Sequence, residues 1–228
     1  MSHETYHLVF KAVVLSLVHL SAWRFATSLQ KYDKPINSIG GGLAITYVFL
    51  LLLPELDMGH HFFGKKIYLL VLLSFILFYG LHKLRIRSTD DAKKYRIALA
   101  YSVIYNWLLI YGMPESVFDS SLHLALVTLA IGLHLLHTDI TLIELDSLKY
   151  RRSGRWILVL SLMGGLATRL SVNEVSEMTN DIITALLAGA VIYSVFNEEL
   201  PEVEANNLRW FVLGIVLYSV IVMTAGLV

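Results

Sequence analysis

The fifth apolar segment of this sequence carries two histidines at a spacing that suits a metal ion. His134 and His137 lie three residues apart in LHLALVTLAIGLHLLHTDITLIELD, and Thr141 and Glu144 follow at intervals that keep all four on one face of a helix. Two imidazoles one turn apart can share a divalent cation, with a carboxylate completing the site. The same residues also fit a polar stripe that is hydrogen-bonded to a neighbouring helix.

The fourth apolar segment, IALAYSVIYNWLLIYG, supplies a second set of polar side chains. Tyr101 and Tyr105 form one i, i+4 pair, and Ser102 and Asn106 form another, so the four residues occupy adjoining strips of one helix face. Hydroxyl and amide groups in an apolar helix either bind a ligand or hydrogen-bond across to another helix. His19 and His82 are isolated in their own segments, and we expect each to be a packed or interfacial histidine rather than a ligand.

Two of the apolar segments end in a cluster of acidic residues. Glu55 and Asp57 come at the end of the second segment, and the seventh segment ends in Glu198, Glu199 and Glu202. Each cluster could collect or release cations at one membrane surface. Each could equally be a solvated helix end.

The composition indicates that these segments lie in a membrane. Of the 228 residues, 56% are hydrophobic and only 16% are charged, which is more apolar surface than a soluble domain of this size can bury. The formal net charge is zero, so nothing favours nucleic acid as a partner. The chain has no cysteine, which excludes disulfides and thiolate metal sites. We therefore expect the lipid bilayer to be the main partner.

The apolar segments predict an all-α membrane protein with eight spanning helices, in which residues 1–228 form one integral membrane domain. A spanning helix needs about 20 mostly apolar residues. The segments run from Leu8 to Leu29, Ile39 to Leu56, Ile67 to Lys83, Ile97 to Met113, Leu122 to Leu145, Trp156 to Leu170, Ile182 to Leu200 and Leu208 to Val228. Short polar stretches, among them RIRSTDDAKK and KYRRSGR, separate them.

Basic residues predict the orientation of this bundle. Of the 18 Lys and Arg residues, all but Lys11, Lys65, Lys66 and Arg169 fall on the side of the loops that follow segments one, three, five and seven. An excess of Lys and Arg marks the cytoplasmic side. We expect both termini to lie outside, in the inner (cytoplasmic) membrane of a bacterium. Small residues in several segments are compatible with a homodimer.

Three segments resemble helices of the ZIP (Zrt/Irt-like) family of divalent-metal transporters. The second segment, GGGLAITYVFLLLLPEL, is similar to that family's Gly-rich second helix ending in HLLPE. The seventh, LLAGAVIYSVFNEELPE, is similar to its AGxxLY…ELLPE helix, and LSLMGGLA is similar to its sixth helix. The resemblance implies eight helices with both termini outside, and a Zn²⁺-like divalent transition metal as the substrate rather than an enzymatic reaction.

The resemblance also implies where the metal binds, and there the sequence departs from the family. The family's fourth helix reads HSxxDG or HNxxE, where this chain has Tyr101 to Asn106, and its fifth reads HExPEG, where this chain has His134 to Asp139. We therefore expect a remodelled site between helices four and five. Its metal ligands would be His134, His137 and Asp139. Its pathway would be lined by Tyr101, Ser102, Tyr105, Asn106, Thr138, Thr141 and Glu144.

The loss of the family's carboxylates leaves a second hypothesis open. A divalent ion in a low-dielectric site needs anionic or imidazole ligands to offset its lost hydration. With hydroxyl groups in place of carboxylates, the chain could instead be a non-transporting relative. It would then act as a sensor, a partner-binding subunit or a lipid-interacting membrane protein.

Overall fold

The structure is a computed structural model that describes residues 3–29, 33–58, 63–112, 121–172, 176–199 and 205–224. These residues are almost entirely helical, which confirms the all-α class. The helices are α1 (His3–Leu29), α2 (Asp33–Tyr47), α3 (Leu53–Met58), α4 (Ile67–Arg87), α5 (Asp91–Tyr111), α6 (Ser121–Lys149), α7 (Arg155–Ser171), α8 (Glu177–Ser194) and α9 (Ala205–Thr224).

Four helical stretches of the described chain are long and apolar enough to cross a membrane. They are Thr5–Ala26, Gly64–Arg87, Val127–Ser171 and Met178–Asn197, and two shorter apolar helices cover Ser38–Leu52 and Leu208–Thr224. Many large apolar side chains on these helices point outward, such as Leu69, Leu160 and Met223. A helix that is apolar on its outer face needs lipid or another protein to cover it. The count of eight spans remains a prediction.

One stretch is longer than a single crossing and is broken at Asp146. Val127–Ser171 contains 45 residues, about twice the 20 that span a bilayer. Asp146 has an extended backbone (φ −162°, ψ 90°), and its carboxylate accepts a hydrogen bond from the Lys149 backbone N–H at 2.9 Å. It thereby caps the next helical turn. The predicted polar loop KYRRSGR is therefore wrong in detail, because Tyr150–Gly154 forms a wide π-helical turn and the break precedes it.

Two other element boundaries follow from local chemistry. Asp90 precedes α5 and accepts hydrogen bonds from the backbone N–H groups of Ala92 at 2.9 Å and Lys93 at 3.3 Å, as an N-cap residue does. The turn between α4 and α5 is consequently much shorter than the predicted RIRSTDDAKK loop. Pro54 has no backbone N–H to donate to the preceding turn, and the helix widens into a π-helical turn at Val48–Leu52 just before it.

The helices form two groups. In the first group α1 packs on α6 and α7, and α5 packs on α6 and α7. In the second group α2 packs on α9 and α4 packs on α8, while α3 and the turn before it join α2 to α8. We call the interface between the groups the seam, which is made where α2 contacts α6 and where α5 contacts α4 and α8. The residues predicted to bind a metal lie on α5 and α6, so the first group carries them.

Glycines allow the closest helix contacts of the second group. A Cβ on Gly42 would collide with the Phe211 carbonyl, and one on Gly214 with the Ile39 carbonyl, so α2 and α9 approach backbone to backbone. Gly189 of α8 is in the same position against α4, where a Cβ would lie 2.7 Å from the Ser74 Cβ. Small residues give such packing in membranes, where no hydrophobic driving force brings helices together.

Replacing Gly189 with alanine tests this contact. The added methyl group has no room beside α4, so we expect Gly189→Ala to lower the free energy of unfolding by about 1–3 kcal/mol. Gly80 provides the control, because a Cβ there meets nothing within 4 Å. Gly80→Ala should raise the free energy of unfolding by about 0.5–1 kcal/mol, since alanine is the better helix former. Thermal unfolding in detergent micelles measures both, and equal effects would contradict the packing described.

Candidate functional site

His134 lies at the seam and contacts residues of both helix groups. Its side chain is buried. The ring of Tyr105, on α5, stands edge-on to the imidazole with ring centroids 5.1 Å apart. From the other group, the Ser194 hydroxyl of α8 lies 3.4 Å from the His134 Nε2. His134 therefore belongs to the first group but makes a polar contact across to the second.

A small cavity lies on each side of the Tyr105–His134 contact. The first is largely apolar and extends to Ala44 and Tyr47 of α2, leaving about 20 Å³ for the centre of a water-sized sphere. The second leaves about 10 Å³, and most of the residues that line it carry a hydroxyl, amide or imidazole group. Such a volume is close to the room that one water molecule needs. Both cavities draw their walls from the two groups, so the seam holds a discontinuous path that Tyr105 and His134 divide.

Most of the predicted pathway residues line the second cavity together. Its polar lining comprises Tyr101, Ser102, Tyr105, Asn106, His134, Thr138, Tyr193 and Ser194. Thr141 and Glu144 lie elsewhere. The Thr141 hydroxyl donates to the His137 carbonyl at 3.3 Å, and the Glu144 side chain is exposed. Tyr193 and Ser194 of α8 had not been predicted, because only the acidic end of the seventh segment had been given a role in the site.

The three predicted metal ligands do not converge. In the part of the chain that the structure describes, no group of three His, Asp or Glu residues could hold a metal ion. His134 lines both cavities, whereas His137 lines neither, and its Nδ1 is buried with no hydrogen-bond partner among the described residues. Asp139 is five residues from His134, which places it roughly 140° around the helix. The expected His134–His137–Asp139 site must therefore be corrected to a single imidazole at the seam.

Asp139 instead pairs with His19, which we had expected to be merely packed. Both Asp139 carboxylate oxygens lie within hydrogen-bond distance of the His19 Nδ1, at 2.9 and 2.8 Å, and both side chains are fully buried. Asn106 Nδ2 lies 3.0 Å from the His19 Nε2. With Asn106 donating to the His19 Nε2, the His19 Nδ1–H donates to Asp139. Asn106 also lines the second cavity, so this three-residue network reaches the seam.

The network ties three helices of the first group together. His19 comes from α1, Asn106 from α5 and Asp139 from α6. The Tyr150 hydroxyl, from the turn after α6, also donates to the His19 carbonyl at 2.8 Å. Asn106 had been predicted as a pathway residue and Asp139 as a metal ligand, and the sequence held no signal that either would contact His19. The buried hydrogen bonds of the network therefore join the three helices, while the Asn106 Oδ1 has no partner among the described residues.

A cation contacts Tyr101, one of the residues that line the second cavity. The Arg85 guanidinium of α4 lies 3.4 Å from the Tyr101 hydroxyl and 3.1 Å from the His82 Nδ1. The Asn197 amide lies 3.2 Å from the same His82 nitrogen, so His82 is packed, as we expected. A fixed positive charge at this position does not favour a passing cation unless Arg85 moves away.

The acidic residues predicted at the two entrances are only partly described. Asp57 is exposed, and its carboxylate accepts a hydrogen bond from the Tyr68 hydroxyl at 3.2 Å. Glu202 lies outside the described residues, as do the side chains of Glu55, Glu198 and Glu199.

No protein-family model matches the chain, and no curated protein matches it either. The chemistry of the site consequently rests on the residues themselves. At the seam they offer one imidazole nitrogen and several hydroxyl groups. This donor set can hold a borderline-soft cation weakly or a water molecule, and it is too poor in charge for a hard divalent ion.

Proposed function

We propose that this chain is a ZIP-like membrane permease that carries a divalent transition-metal ion such as Zn²⁺ through the seam. The observation that carries the proposal is the position of His134, which lies between two helix groups with a cavity on each side of it. The permease would have eight spans with both termini outside, in a bacterial inner membrane. Zn²⁺ accepts imidazole ligands, and the few charges at the seam fit passage better than tight binding.

Alternating exposure of His134 is the mechanism that this arrangement favours. If the first group tilts against the second, His134 and Tyr105 move together, and His134 becomes exposed first to one cavity and then to the other. Transporters commonly move ions by such rocking of one helix bundle against another around a central site. The hydrogen bonds among His19, Asn106 and Asp139 would hold the helices of the first group together during the movement. Arg85 would have to leave Tyr101 when the second cavity opens.

Metal flux into proteoliposomes tests the proposal. We expect the native protein to carry Zn²⁺, and His134→Ala to reduce the flux by about tenfold or more, since even the outer partners of metal ligands contribute about 10–100-fold. Leu129→Ala is the matched control on the same helix, because Leu129 is 56% exposed on the outer face. Cd²⁺ and Mn²⁺ measured alongside would define the selectivity. Native protein that is folded but carries none of the three ions would contradict transport.

The absence of a three-ligand group from the described residues, together with the Arg85 charge beside Tyr101, favours a second candidate function. In this case the chain would be a non-transporting relative that serves as a sensor, a partner-binding subunit or a lipid-interacting protein. His134→Ala would then leave the cellular phenotype intact. Substitutions on the exposed outer faces of the helices would change it.

A further inference from the structure

Three arginines surround the indole ring of Trp23 at the end of α1. The Arg151 guanidinium carbon lies 4.4 Å from the Trp23 ring centroid, that of Arg24 lies at 5.4 Å and that of Arg155 at 5.9 Å. These residues come from α1, from the turn after α6 and from the start of α7. The cluster is separate from the seam and takes no part in the proposed transport.

The arginines of this cluster have no anionic partner in the described parts of the chain. No ion pair forms between a described Asp or Glu and Arg24, Arg151 or Arg155. Arg151 and Arg155 are also four residues apart on one helical turn, where like charges repel. Contacts with one aromatic ring stabilise a cation by about 0.5–1 kcal/mol at exposed sites, which only partly offsets that repulsion.

Two hydrogen-bond donors in the cluster are also buried without an acceptor. Among the described residues, the Trp23 Nε1 and the Arg155 Nε have no hydrogen-bond partner. A buried donor that lacks an acceptor is costly and calls for an explanation, such as a bound group. Positive charge without a counter-ion and donors without an acceptor both point to an anion with several oxygens.

The surroundings indicate the source of that anion. Phe25, beside Arg24, is 52% exposed, and Trp156, beside Arg155, is 49% exposed. Leu148, just before the turn that carries Arg151, is 76% exposed. Exposed tryptophan and apolar side chains next to arginines are typical of the level of lipid headgroups in a membrane. A lipid would satisfy the guanidinium groups with its phosphate and cover these apolar side chains with its acyl chains.

We propose that Trp23, Arg24, Arg151 and Arg155 form a binding site for the phosphate headgroup of an anionic phospholipid. In the orientation that the basic loops predict, this site lies at the cytoplasmic surface, where anionic lipids attract juxtamembrane arginines. The lipid would join the end of α1 to the turn between α6 and α7. Arginine suits the role because its planar guanidinium can donate two parallel hydrogen bonds to a phosphate.

Native mass spectrometry of the full chain in detergent tests this site. With phosphatidylglycerol and phosphatidylcholine added in equal amounts, we expect the native protein to retain phosphatidylglycerol preferentially. Arg151→Gln/Arg155→Gln should weaken phosphatidylglycerol binding by about tenfold or more, since each juxtamembrane arginine contributes substantially. Lys93→Gln/Arg96→Gln is the matched control, because it removes the same charge from exposed residues of α5 that are not among the cations stacked on the Trp23 ring. An equal loss in both double variants, or no lipid preference, would overturn the proposal.

Two further measurements keep the test decisive. If Arg151→Gln/Arg155→Gln does not fold, Trp23→Phe keeps an aromatic ring and removes only the indole N–H, and it should weaken phosphatidylglycerol binding several-fold. Unchanged binding in Trp23→Phe and in Arg151→Gln would contradict the site. Inorganic phosphate is the competing probe. If it displaces phosphatidylglycerol at a similar concentration, the site recognises a small anion, and the lipid assignment is wrong.

Discussion

Asp139→Ala is expected to destabilise the protein by about 3 kcal/mol, because it leaves the buried His19 without its acceptor. The Asp139 carboxylate is fully buried and lies 2.8 Å from the His19 Nδ1. Its loss would also release His19 from the position in which Asn106 contacts it, so α1, α5 and α6 would lose a shared contact. Since folded proteins are stable by only about 5–15 kcal/mol, we expect a large fall in the midpoint of thermal or denaturant unfolding.

Two variants serve as controls. One removes an acid elsewhere on α6, and the other keeps the size of the side chain at position 139. Glu144→Ala removes an exposed acid from the same helix and should change the free energy of unfolding by less than about 0.5 kcal/mol. Asp139→Asn keeps an oxygen that can accept from the His19 Nδ1–H, so its effect should be smaller than that of Asp139→Ala. If Asp139→Ala changes the free energy of unfolding no more than Glu144→Ala does, the network does not stabilise the first helix group.

The second large effect is a gain of zinc binding in Tyr105→Glu. The Tyr105 ring lies edge-on to His134, and a glutamate there would bring a carboxylate to the one imidazole of the seam. A buried carboxylate without a partner is costly, so the variant should be less stable than the native protein when no metal is added. Zinc binds the folded state and at about 100 times its dissociation constant stabilises it by about 2.7 kcal/mol, or about 5–10 °C in the unfolding temperature.

Tyr105→Gln separates the charge from the change of shape. Glutamine has nearly the size of glutamate but carries no charge, so zinc should leave its unfolding temperature almost unchanged. His134→Ala introduced into Tyr105→Glu should remove the gain, because zinc would lose its imidazole ligand. Equal zinc shifts in Tyr105→Glu and Tyr105→Gln would mean that position 105 does not face a metal site.

Hydropathy predicted the helices well because each depends on a continuous run of apolar residues. The run Ile67 to Lys83 lies inside α4, and most of the run Ile97 to Met113 lies inside α5, which begins six residues earlier, at Asp91. The break between α6 and α7 was misplaced because a polar run such as KYRRSGR resembles a loop. The actual break depends on one hydrogen bond from the Asp146 carboxylate to the backbone, which hydropathy does not detect.

The site was predicted less completely because helical spacing relates residues of one helix only. Tyr101, Ser102, Tyr105 and Asn106 share a face of α5 and do line one cavity. The pairing of Asp139 with His19 joins residues 120 positions apart, and it depends on how α1 packs against α6. Spacing within one segment carries no information about such a pair.

A reversible cross-link across the seam tests most directly whether an ion passes by movement of the two groups. The chain has no cysteine, so an introduced pair would react only with itself. A Cβ on Gly40 of α2 lies 3.7 Å from the Leu133 Cβ of α6. This separation suits a disulfide. We expect the reduced Gly40→Cys/Leu133→Cys variant to carry Zn²⁺ into proteoliposomes. Oxidation should stop this flux, and reduction should restore it. The oxidant should not change the Zn²⁺ flux of either single variant. Flux that is the same in the oxidised and reduced protein, or absent from both, would contradict transport through the seam.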